Sequence, residues 1–147
     1  TVPTGSMEPT IMPGSRMIGL RVSYWFKDPQ RGDIVVFKYP DDPSQIFVKR
    51  VIGLPGETVE IIDGVTYING EELDEPYINP KYALTKNLES EDYGPYLVPE
   101  KSYFVMGDNR GNSKDARFWT NTYVQKKAIL GKALFVYWPV SEVGRLR

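Results

Sequence analysis

Histidine and cysteine are both absent from this chain. Their absence excludes a Ser-His-Asp triad, a Cys-His pair, a histidine metal site, a disulfide and a cysteine zinc site. A serine nucleophile must still pass its proton to a base. With no histidine, lysine is the natural partner, and Ser-Lys is a known variant of the triad logic. Long apolar runs are absent too. The longest, Ala133-Leu134-Phe135-Val136-Tyr137-Trp138-Pro139-Val140, falls far short of the roughly 20 residues that span a bilayer as a helix. No basic-then-apolar leader opens the sequence. A net charge of -1 gives no electrostatic case for binding nucleic acid. No spacing of carboxylates resembles a calcium loop, so neither a metal nor an organic cofactor is implied.

What is present reads as mostly β. With 147 residues, 41% of them hydrophobic, one domain with a real core is expected. Runs rich in Val, Ile, Tyr and Phe, bounded by Gly, Pro, Asp and Asn, predict strands at Arg16–Val22, Asp33–Lys38, Ile46–Gly53, Thr58–Ile62, Val65–Ile68, Ser102–Met106 and Leu130–Trp138. Asp63-Gly64 predicts a tight type I′ hairpin, and Asn69-Gly70 another turn. Gln125–Leu130 is read as one short helical turn. Pro9, Pro13, Pro29, Pro40 and Pro43 argue against long helices in the first third. Glu71–Pro99, acidic and rich in Tyr, Pro and Asn, is read as an irregular insertion or small subdomain. The division expected is one catalytic domain over 1–147, its core about 1–70 and 99–147, its insertion about 71–98.

Three constellations bear on chemistry. Ser6 sits in Thr4-Gly5-Ser6-Met7-Glu8-Pro9-Thr10, where Gly5 permits an unusual backbone angle or close substrate approach. Taken alone it is also an ordinary loop serine. Lys49 sits mid-strand, with Phe47 and Val51 on its face and Val48, Arg50 and Ile52 on the other. A lysine titrates near 10.4 and is no base at neutral pH, unless burial lowers that value. The alternative is an edge-strand lysine with its head in water. Gly107–Trp119 packs two aspartates, two asparagines, a serine and three basic residues after a strand. It is either a rigid loop held by Asp-Arg pairs or a solvated turn whose ion pairs contribute little.

Together these segments resemble the catalytic region of bacterial type I signal peptidases, Ser-Lys serine proteases of membranes. Thr4–Thr10 resembles the nucleophile box, Arg31–Phe37 a second box, Lys49–Glu57 the lysine box and Gly107–Trp119 the last box. The likeness covers nearly the whole chain except Glu71–Pro99. It implies a β-sheet, barrel-like catalytic core. It makes Ser6 the nucleophile and Lys49 the general base, then general acid. The oxyanion would be held by the Ser6 backbone N–H and the Thr4 hydroxyl, threonine standing where the family often has serine. Ser113 would orient Lys49, with Asp108 paired to Arg50 and Asp115 to Arg117 as scaffolding.

The resemblance also implies a substrate and a setting. The partners would be the signal peptides of exported preproteins, cut after small residues of Ala-x-Ala type, through an acyl-enzyme. Val2, Met7, Ile11 and Val48 are the candidate walls of a shallow apolar pocket. An extended substrate would lie against a strand edge. The chain, opening just before Ser6, reads as a soluble fragment of a membrane-anchored protein. Its catalytic part would face the outer side of the cell membrane or a thylakoid lumen. A lipid surface is a further expected partner, with Trp25 in Tyr24-Trp25-Phe26 its best contact and Tyr137-Trp138 more in keeping with core and turn. Oligomeric state is left open. Two rivals stand: a self-cleaving repressor-type Ser-Lys peptidase, which shares Ser-Met-x-Pro-Thr, and a catalytically dead relative that only grips signal peptides.

Overall fold

A computed structural model describes residues 4–20, 24, 27–80, 92–138 and 143–146. The strands are β1 (Arg16–Leu20), β2 (Ile34–Tyr39), β3 (Asp42–Gly53), β4 (Thr58–Ile62), β5 (Val65–Ile68), β6 (Glu71–Glu72), β7 (Tyr93–Leu97), β8 (Ser102–Met106), β9 (Val124–Gln125), β10 (Ile129–Trp138) and β11 (Gly144–Arg145). A seven-stranded sheet runs β1-β10-β2-β3-β8-β9, with β11 on β10, and a four-stranded sheet runs β6-β5-β4-β7. The fold is mostly β, and its larger sheet curls into a half-barrel. No helix among the described residues is long and apolar enough to cross a membrane.

Strand β3 is the spine. It pairs with β2 on one side and β8 on the other, all antiparallel. Its second half is buried on both faces from Lys49 to Gly53, so apolar residues there need not alternate with polar ones. Val51, Ile52, Phe104, Val105 and Met106 of β3 and β8 join Val35 and Phe37 of β2 and Val59 of β4 in one core. Asp63 and Gly64 both take positive φ, and Ile62 pairs with Val65 across them, as a type I′ hairpin requires. Asn69-Gly70 repeats the geometry between β5 and β6.

Several boundaries differ from expectation. β3 begins at Asp42, because Tyr39 pairs with Asp42 around Pro40-Asp41, and an irregularity over Pro43–Gln45 separates that pair from the ladder that resumes at Lys38 and Ile46. Asp33 precedes β2 but still takes part, its carbonyl accepting the Val51 N–H at 2.8 Å. Lys126–Ala128 forms a 3₁₀ turn inside the Gln125–Leu130 stretch. Tyr93–Leu97, within the stretch read as irregular, is a strand on β4.

Candidate active site

The turn that carries Ser6 is anchored by the apolar residues just after it. Met7 and Ile11, four residues apart, lie one helical turn from each other, and the Ile11 N–H donates to the Met7 carbonyl at 2.9 Å. Both side chains are buried with Ile34 and Ala133. Ser6 is therefore fixed by an apolar neighbour sunk beneath the sheet. The register Val35↔Lys49 and Arg50↔Met106 sets Lys49 beside β2 and brings the end of β8 next to it. Gly107 and the polar loop come directly after β8.

Lys49 Nζ and Ser6 Oγ are 2.5 Å apart. Lys49 is only 4% exposed, which decides against a lysine with its head in water. The Phe47 ring lies 5.6 Å from the amine and belongs to an aromatic group with Phe37, Tyr39 and Trp119. Burial lowers the Lys49 pKa to about 8, with Asp115 and Asp108 pulling it upward and Arg117 pushing it down. The neutral fraction at pH 7 is then about a tenth, against about 0.03% for an ordinary lysine.

That shift has a cost in stability. The folded state binds fewer protons than the unfolded one between about 8 and 10.5. Stability therefore rises with pH across that window, and the burial penalty, up to about 3 kcal/mol, is complete below it. Lys49→Met is expected to stabilise the fold in urea at pH 7, with the gain fading above the upper end of the window. An equal gain at both pH values would assign it to packing.

The loop after β8 is tied down by ion pairs and hydrogen bonds. Asp108 takes both Arg50 Nε at 2.8 Å and Nη2 at 2.7 Å, and the pair is almost fully buried. Asp108 also accepts from Thr10 Oγ1 at 2.5 Å, tying the nucleophile turn to β3. Arg50 further donates to the Gly32 carbonyl at 2.8 Å and stacks 4.0 Å from the Tyr77 ring. Asp115 takes Arg117 Nε at 2.8 Å and Nη2 at 2.9 Å. Burial alone would raise the Asp115 pKa, but Arg117, the Gly107 N–H and Ser113 hold it below the usual carboxylate value. Both expected ion pairs are thus brought together. Breaking such a buried pair costs several kcal/mol, about 3–5.

Other expected positions fall differently. Thr4 is exposed, its Oγ1 3.3 Å from Ser6 Oγ. Ser113 makes no aligned hydrogen bond among the described residues, so the expected bond to Lys49 is not formed. Its hydroxyl lies instead against Gly107 and close to Asp115. Met7 and Ile11 are core residues rather than pocket walls, since neither has appreciable exposure, whereas Val48 is half-buried on the same cluster. Val2, Trp25 and the side chains of Tyr137 and Trp138 lie outside the described residues. Tyr24 donates to Asp33 at 2.8 Å. A groove of about 750 Å³ lies among Tyr24, Ser102, Lys126 and Ile129, away from Ser6.

Some functional neighbours carry no signal in the sequence. Glu75, in the stretch read as irregular, pairs with Arg110 almost out of solvent. Arg110 in turn donates to the Gly107 carbonyl at 2.9 Å. Burial would raise the Glu75 pKa, but Arg110 and hydrogen bonds from Thr66 and Tyr77 hold it low. Asn109 bonds the nucleophile turn twice. A buried carboxylate in an acidic run is indistinguishable by composition from a solvated one.

A curled β sheet with a serine against a buried lysine, backed by clamped Asp-Arg pairs, is an arrangement that suits a hydrolase with a serine nucleophile. Comparison narrows the class. Residues 1–138 match the family model described as signal peptidase, peptidase S26. A probable signal peptidase I-2 of Synechocystis is 42% identical over 99% of this chain, which covers 65% of that relative. A signal peptidase I of Leptolyngbya laminosa is 43% identical, with 99% of this chain and 70% of the relative covered. A crystal structure of a signal peptidase I from Enterococcus faecalis matches at TM-score 0.62 and 38% identity, over 72% of this chain and 97% of that one. The chain belongs to the signal peptidase family, peptidase S26.

Proposed function

We propose that this chain removes signal peptides from exported proteins, with Ser6 as nucleophile and Lys49 as its base. The observation that carries the reading is the 2.5 Å contact between Ser6 Oγ and a lysine whose pKa burial lowers to about 8. Ser6 Oγ adds to the scissile carbonyl carbon as its proton passes to neutral Lys49 Nζ. The Ser6 N–H and the Thr4 hydroxyl stabilise the oxyanion, an electrostatic term of about 3–4 kcal/mol per donor. Collapse breaks the C–N bond, and protonated Lys49 gives its proton to the leaving amine. Water then attacks the acyl-enzyme ester, Lys49 takes its proton, and Ser6 is restored.

Asp108, Arg50, Asp115 and Arg117 act as scaffolding, with Ser113 beside them. Cleavage after small residues of Ala-x-Ala type follows the family reading, with half-buried Val48 the one candidate wall that keeps exposed surface among the described residues. Membrane association is common to signal peptidase I relatives. The catalytic surface would work at a lipid boundary on the extracytoplasmic side.

The test is cleavage of a peptide ending in Ala-x-Ala, in detergent, measured against pH. Activity needs neutral Lys49, so kcat/KM is expected to rise with pH and level off above about 8. A flat profile through that value would remove Lys49 from the role of base.

A further inference from the structure

We infer that Asn109 is a positioning residue: its side-chain amide aims the Ser6 backbone N–H, the donor that meets the oxyanion. This rests on the reading of Ser6 as the nucleophile. Asn109 Nδ2 donates to the Gly5 carbonyl at 3.0 Å. The Glu8 N–H donates to the same oxygen at 3.1 Å, and the Asn109 N–H donates to the Ser6 carbonyl at 2.9 Å. The Gly5–Ser6 peptide is not among the cis bonds of the chain. In a planar trans peptide the C=O of one residue and the N–H of the next point in opposite directions. Holding the Gly5 carbonyl toward Asn109 therefore turns the Ser6 N–H to the other side of that plane. The Ser6 carbonyl, one peptide further on, is pinned by the same residue's backbone. Both peptides flanking the nucleophile are thus set by a single position on the loop after β8.

The amide is there for its donor. Asn109 is 3% exposed, and its Oδ1 has no hydrogen-bond partner among the described residues. A leucine of nearly the same shape would avoid that unpaired acceptor and would lose only the bond to Gly5. Since an oxyanion donor acts in the transition state and not on bound substrate, misaiming it lowers kcat and kcat/KM together and leaves KM alone.

Asn109→Leu and Asn109→Ala are assayed on the Ala-x-Ala peptide in detergent, below the melting midpoint of the weaker variant. Expected for both is a fall in kcat of about tenfold or more, with KM and the acid limb unchanged. Each variant is also titrated with a peptide aldehyde, whose adduct carries an oxyanion, and with the matching alcohol. The aldehyde's advantage over the alcohol should shrink by the same factor as kcat. Because that ratio is internal to each variant, the near-isosteric leucine carries the test if alanine does not fold. A leucine variant with kcat within about twofold of wild type overturns the inference. So does a loss accompanied by a raised KM or a displaced acid limb, which would place Asn109's effect on substrate binding or on Lys49. Ser6→Ala is run alongside. If it still cleaves, the nucleophile reading itself falls. If it is dead while Asn109→Leu runs at full rate, only the present inference falls.

Discussion

Lys49→Ala and Lys49→Arg are both expected to stop cleavage, each by on the order of 10⁴-fold in kcat. Alanine leaves Ser6 without a proton acceptor. Arginine restores a cation at the same position, yet its guanidinium does not give up a proton in proteins, and it must fit where Lys49 is 4% exposed. Charge alone would predict rescue by arginine, and proton transfer predicts none. Ser6→Ala should lose a comparable factor, and the double variant little more than either single one, because the two groups act as a unit. Single-turnover cleavage with each variant, beside a thermal melt, decides the matter. Full-rate cleavage by Lys49→Ala would end the dyad reading.

Gly107→Ala is expected to cost at least about a hundredfold in kcat while the chain still folds, since overpacking of this kind destabilises by about 1–3 kcal/mol. The φ of Gly107 is not among the positive values, so the added methyl group is not a backbone problem. It is a collision. A Cβ at 107 would stand 2.2 Å from Ser113 Oγ and 2.4 Å from the Ser6 carbonyl oxygen. The hydroxyl can rotate away. The carbonyl is held by the Asn109 N–H at 2.9 Å, so relief must come from moving Ser6, which is the group that has to stay against Lys49. Adding Ser113→Ala removes the first collision but leaves the second, together with a 2.7 Å approach to the Cβ of residue 113, and is expected to restore nothing. Recovery of activity in that double variant would place the fault on the hydroxyl instead.

The strands legible in the sequence are those whose apolar residues recur between clear punctuation. Thr58–Ile62, Val65–Ile68 and Ser102–Met106 match their expected bounds. Tyr93–Leu97 is hidden because Gly94-Pro95 interrupts it. As the edge of the four-stranded sheet, it tolerates a proline that an inner strand would not. The positions of Ser6 and Lys49 are legible from their segments, but their meeting is not. Strand alternation assigns Lys49 a face, whereas burial on both faces comes from distant segments packed on β3, the Ser6 turn against Lys49 and Asp108 and Tyr77 against Arg50. Asn109, Arg110 and Glu75 act through backbone carbonyls or across sheets, and neither relation leaves a mark in local composition.

The bonds from Asn109 to Gly5 and from Thr10 to Asp108 join positions 104 and 98 residues apart in the chain. A ribosome makes the serine near the start of this sequence and its clamps only much later. Until then the Gly5 carbonyl has only the Glu8 N–H of its own turn, the Ser6 carbonyl lacks its Asn109 donor, and Arg50 has no carboxylate at Asp108 to pair with. The growing polypeptide therefore holds Ser6 without those bonds until the loop around Asp108 and Asn109 has been made. On the proposed reading, the arrangement around Ser6 is complete only when the distant loop closes on the turn.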